Sequence, residues 1–137
     1  MTQATGNVRQ TLDQRRASHA WDVVQRAKSR QRPHQNQDPN KFGGQAKKLP
    51  TRIMAAGLGQ ALAFLKVKGY APGLLAELNE WIAQRMPPAQ DVPQDLLERI
   101  VKGDSDFLRR ATDEVLAYLV WLNRFAEAEG LTGGDES

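Results

Sequence analysis

Toward its carboxyl end the chain sets Leu108, Ala111, Val115, Leu119, Leu122 and Ala126 three and four residues apart. That step matches the turn of an α-helix, about 3.6 residues, and puts all six on one face. Tyr118, Trp121 and Phe125 widen the face until it reaches far round the cylinder. Residues 105–129 are therefore expected to form a helix with neighbours on two sides. Asp104 or Ser105 can cap its first turn. Nowhere does the chain alternate with period two long enough to make a strand. An all-α fold follows.

The same periodicity marks the remaining helices. Residues 7–31 contain no Gly or Pro, and Leu12, Ala20, Val23, Val24 and Ala27 share a side, with Trp21 at its edge as a core residue. Arg15, His19, Asp22, Arg26 and Arg30 follow a different, mainly cationic stripe. Two prolines, two asparagines and a Gly pair make 32–44 a loop. A helical region over 45–68 comes next, broken near Gly57, with Pro50 near its start or at a kink. Within it Leu58, Leu62 and Leu65 share a face that Ala61 and Phe64 widen, and Gly69 is placed to cap its end. Residues 72–86 and 93–102 supply two more helices, with Glu98 and Lys102 one turn apart on a wet face. At 137 residues the chain suits a single domain, 1–137, a bundle of five to six helices. Its flexible parts are expected at 1–6, the 32–44 loop and the polar 130–137 tail.

Most chemical classes find no support. The run GLGQALAFL, residues 57–65, begins like a dinucleotide-binding loop, but Leu62 stands where a third small residue belongs. The preceding TRIMAA reads as helix rather than buried strand. A helix junction is the better reading, with Gly57 to turn and Gly59 for close packing. Without cysteine there is no disulfide, thiol nucleophile or cysteine-based zinc site. His19 and His34 lack metal-ligand spacing and read as solvated. An enzyme built on Asp104 and Asp106 is a weak third reading, because acids at a helix start favour its dipole. Arg109/Asp113 and Arg110/Glu114 have one-turn spacing and are expected on a wet face. The expectation is a non-enzyme with no catalytic residue, metal or cofactor. No stretch has the roughly 18–20 apolar residues of a membrane span, and the start lacks the apolar segment of a secretory signal. A cytoplasmic protein is expected.

Charge is the informative feature. Residues 1–68 hold thirteen Lys or Arg against three acids, a net +10, and residues 69–137 hold six against thirteen, a net −7. Such a division suits a polyanion at one face and a protein contact at another. Candidates for nucleic-acid or subunit contact are Arg15, Arg16, Arg26, Arg30, Lys41, Lys47, Lys48, Arg52, Lys66 and Lys68, with Lys28 beside them. Few aromatics lie among them, so contact with backbone or duplex shape is favoured over base stacking.

Two segments carry a family resemblance. Lys48-Leu49-Pro50 with GLGQALAFL, and TDEVLAYLVWLNRFA from Thr112 to Ala126, resemble the small helical subunit of Cmr-type (type III-B) CRISPR effector complexes. RRASHAWDVV fits the first helix of that family more loosely. The resemblance implies a non-catalytic structural subunit of an RNA-guided antiviral complex, within its RAMP module. It further implies copies stacked into a filament that lines the channel where guide RNA pairs with target RNA. The implied partners are the backbone subunits, the Cas10-like large subunit, further copies of the chain, and guide and target RNA. A free-standing helical DNA-binding regulator is the alternative that the basic half allows.

Overall fold

In the computed structural model, which describes residues 9–29, 39–69, 71–92 and 94–131, six helices follow one another. They are α1 (Leu12–Ser29), α2 (Pro39–Ala56), α3 (Leu58–Lys68), α4 (Pro72–Arg85), α5 (Leu96–Lys102) and α6 (Ser105–Ala128). No strand occurs among the described residues. The centre is α6, which packs against α1, α2 and α4. It thus has neighbours on three sides, where its wide apolar face alone suggested two. The pairs Arg16–Glu114, His19–Tyr118, Trp21–Phe125 and Gln25–Glu129 climb both helices together, so α1 and α6 run parallel. Gly43 meets Leu131 while Ala46 meets Asn123, so α2 runs antiparallel to α6.

Local chemistry sets the helix ends. Rather than starting at residue 7, α1 begins after Thr11, and the expected residues 7–8 and 30–31 lie outside the described part. The Gln14 N–H donates to Thr11 Oγ1 at 3.0 Å, and the Thr11 N–H donates to Gln14 Oε1 at 2.8 Å. This reciprocal capping box satisfies two otherwise orphan donors. The Asp95 carboxylate accepts from the Glu98 N–H to start α5, and Asp104 accepts from Phe107 to start α6. Gly69 caps α3 with φ 62°. Lys102 Nζ meets Glu98 at 2.9 Å on the exposed face of α5.

The break in the second helical region falls at Gly57, whose φ of 93° and ψ of 158° belong to a region essentially open to glycine alone. Gly59 then lies against α5, where an added Cβ would stand 3.4 Å from Ile100 Cγ2. Both glycines of the false phosphate loop therefore act at a helix junction, as their context suggested. No strand precedes them.

The 32–44 loop is a correction in part. Helix α2 already starts at Pro39, and Phe42, Gly43 and Gly44 are buried in it. Gly43 marks close approach rather than a turn, because a Cβ there would collide with the Leu131 carbonyl. Residues 30–38 lie outside the described part. Nor is the start of the tail loose. Gly130 adopts φ 72°, the Leu131 N–H bonds Ala126 O at 2.9 Å and the Gly130 N–H bonds Glu127 O at 3.0 Å. This Schellman arrangement folds the Leu131 side chain into the core.

Pro50 proves to be interior to α2. Lacking an N–H, it leaves the Ala46 carbonyl without its helical donor. Asn123 Nδ2 on α6 supplies that bond at 3.0 Å. The irregularity in one helix is thus answered by a side chain of another.

Leu108 and Phe64, expected on inward faces, are exposed, and two further expected placements fail. Trp21 is not core but 48% exposed, its ring set edge-on to Phe125 at 5.3 Å. Glu114, expected on a wet face opposite Arg110, is buried. Arg110 instead stands 3.9 Å from Asp106, and Arg109 spans Asp106 and Asp113.

Candidate nucleic-acid and subunit interface

No acidic residue occurs between Asp38 and Glu77, a stretch that carries six cations and forms α2 and α3. Lys41, Lys47 and Lys66 are exposed and have no ion-pair partner among the described residues. Lys48 is half-buried and is not a free cation. Arg52 donates to Gln45 Oε1 at 2.6 Å and lays its guanidinium 4.5 Å from the Phe64 ring centre. Lys68 Nζ stands 5.6 Å from the same centre. Phe64 therefore gathers one cation from α2 and one from α3 through its ring quadrupole. Lys41, Lys47 and Lys66 thus present positive charge that no described carboxylate pairs, as a polyanion or an acidic protein face requires.

The other candidates separate by what they touch. Arg16 belongs to the interior. Its Nε donates to Glu114 Oε2 at 2.7 Å and its Nη2 to Glu114 Oε1 at 3.0 Å. The Trp81 indole N–H adds a bond to the same carboxylate at 2.9 Å, and Arg85 Nε stands 3.4 Å away. Burial pushes the Glu114 carboxyl up, but those hydrogen bonds and the charges of Arg16 and Arg85 outweigh it and hold it below its ordinary value. The Glu114 bond likewise raises Arg16. Arg26 donates to both Glu77 oxygens at 3.1 Å with its side chain still 47% exposed. Lys28 pairs with Glu129 at 2.9 Å. Arg15 is exposed, and Arg30 lies outside the described residues. The tertiary structure thus takes Arg16, Arg26 and Lys28 from the candidate contact cations and pairs them with acids of the carboxyl-terminal half.

A groove of about 330 Å³ runs between α1 and α4, lined by Arg15, His19, Asp22, Arg26, Glu80 and Trp81 among others. His19 is half-buried rather than solvated, its ring held between Trp81 and Tyr118. Its Nδ1 lies 2.7 Å from the Tyr118 hydroxyl. Burial pushes His19 down against the opposing pull of Glu80 and Glu77, and pushes the Tyr118 hydroxyl far up. The buried Glu114 cluster and this groove were missed from sequence because their members come from different helices. His34, the other histidine, lies outside the described residues.

Asp104 caps α6 and Asp106 pairs with Arg109 and Arg110, which is what those carboxylates do among the described residues. Among the described residues no helix is long and apolar enough to cross a membrane.

Comparison with known proteins agrees with this architecture. The model of the CRISPR-associated protein (Cas_Cmr5) family matches residues 12–129, from the first turn of α1 to the end of α6. The fold is also similar to the crystal structure of a CRISPR-associated Cmr5 family protein from Thermus thermophilus. That similarity has a TM-score of 0.69 and 28% identity, covering 87% of this chain and 97% of the other. Neither comparison supports a free-standing DNA-binding regulator. With the family model matching nearly the whole helical bundle, the chain belongs to the Cmr5 family of CRISPR-associated proteins.

Proposed function

We propose that the chain is a non-catalytic structural subunit of the Cmr-type CRISPR complex, working in the cytoplasm. Copies of it stack head to tail into a filament along the paired guide and target RNA. Family membership supports the complex. The observation that carries the RNA role is the acid-free stretch 39–76, whose exposed Lys41, Lys47 and Lys66 lie on α2 and α3. Lysines spaced along helices attract a phosphate backbone through counterion release and need no base contact. Stacking of copies fits the same charge division, because a heterologous contact between unlike faces repeats into a filament instead of closing on itself. Backbone subunits and the Cas10-like large subunit are the further partners in this reading.

The test is reversal of Lys41, Lys47 and Lys66 to Glu in the reconstituted complex, leaving Arg52 in place because it also holds Gln45 and Phe64. Normal assembly with weakened retention of target RNA supports the reading. If assembly fails while RNA retention by the residual complex and its salt dependence stay unchanged, these lysines serve a protein interface.

A further inference from the structure

We propose that His19 of α1 together with Glu77 and Glu80 of α4 forms a binding site for a divalent transition-metal ion of the zinc class, which clips the two helices together. Glu77 and Glu80 are three residues apart and so share one face of α4. That face turns toward His19, and one ligand atom from each of the three residues lies within 4.8 Å of the other two. His19 Nε2 is 3.7 Å from Glu80 Oε1. This is too long for a hydrogen bond. It is close to the roughly 3.3–3.5 Å between two donors bound to one tetrahedral ion at about 2.0–2.1 Å.

A second observation is independent of the carboxylates. His19 Nε2 is shielded from solvent and has no hydrogen-bond partner. A buried imidazole nitrogen left without a partner is unfavourable, and it needs either a donor or a cation. The opposite ring nitrogen is already engaged by the Tyr118 hydroxyl at 2.7 Å. With Nδ1–H donated to that oxygen, the lone pair falls on Nε2, the tautomer a metal ligand requires. Stacking of Trp81 on Tyr118 at 5.6 Å, and the contacts of both with His19, fix the plane of the ring.

Arg26 is the competitor. Its Nη2 lies 3.1 Å from both oxygens of Glu77, where it supplies part of the positive charge that the carboxylates attract. Because its side chain is half-exposed, it can turn to solvent when an ion binds. One nitrogen and two carboxylates favour zinc, cobalt or manganese over calcium and magnesium, which prefer all-oxygen shells. The groove beside the cluster leaves room for water in the fourth position. An ion there joins α1 to α4 through side chains.

The test uses the untagged full chain, stripped with chelator, titrated calorimetrically with zinc and followed separately by the visible absorption of cobalt. One ion per chain, a tetrahedral cobalt spectrum and a zinc-dependent rise in melting temperature are expected. Glu80→Gln, at an exposed side chain, should weaken binding at least tenfold without disturbing the fold, and His19→Ala should do the same. Arg26→Ala should tighten it several-fold, and His34→Ala should leave it unchanged. The proposal is overturned if no stoichiometric binding occurs. It is equally overturned if Glu80→Gln and His19→Ala bind as the parent does, if Arg26→Ala binds more weakly, or if His34→Ala loses the ion.

Discussion

Glu114 ties three helices together. Its carboxylate receives Arg16 from α1 and the Trp81 indole from α4, with Arg85 close by. Removing one partner of a buried ion pair strands the other in a low-dielectric site. Glu114→Ala should therefore lower unfolding stability by about 3–5 kcal/mol, measured by urea denaturation. The pH dependence has a definite sign. A carboxyl held below its unfolded value stabilises the fold above the unfolded pKa, roughly 4.3, and that stability is lost as pH falls through the folded value. Acid titration of stability should be shallower in Glu114→Ala below about pH 4.3. An unchanged acid limb would place the acid-labile carboxyl elsewhere.

At the scale of elements, the joint between α2 and α3 and the proline inside α2 are the informative irregularities. An added methyl at Gly57 would meet nothing within 4 Å, so any cost of Gly57→Ala comes from the backbone alone. That substitution should cost about 1–3 kcal/mol with no change in core packing, visible as a lower melting temperature with unchanged near-UV dichroism. Around Pro50 the exposed quantity is a carbonyl. Asn123→Ala should cost about 1–3 kcal/mol by leaving Ala46 O unsatisfied. Restoring the helical donor with Pro50→Ala in the same chain should recover part of that loss. A double-mutant cycle measures the coupling, and strictly additive effects would refute it.

For the molecule as a whole, the fold redistributes charge. Arg16, Arg26 and Lys28 bind acids of α4 and α6 or the residue after it, which knits the +10 half to the −7 half. Lys41, Lys47 and Lys66 of α2 and α3 keep no acid partner among the described residues. In the charge-reversal complex the logarithmic salt slope of RNA binding should fall by about 2–3, since each lost phosphate contact removes roughly 0.7–0.9. The parent's internal pair at Glu114 is buried and should be little affected over the same salt range.

By itself the sequence determined that the chain is helical, where α3 to α6 run within a few residues, that a joint sits at Gly57, and that the second segment is strongly basic. Those features rest on neighbours a few positions apart, whose periodicity and capping act within one helix. Its two matched segments also identified the family. What the tertiary structure alone decided lies between helices. Gly43 looked like part of a turn because the residue that lies against it, Leu131, is far away in sequence. Glu114 looked like a surface acid because its partners Arg16 and Trp81 are 98 and 33 residues distant. Trp21 looked like core because its apolar character was visible, while its placement at the edge of the α1–α6 contact, edge-on to Phe125, was not. His19 offered no metal spacing because its neighbours Glu77 and Glu80 stand on another helix. Periodicity reports which face a helix turns inward, while the identity of whatever meets that face is settled only when the helices pack.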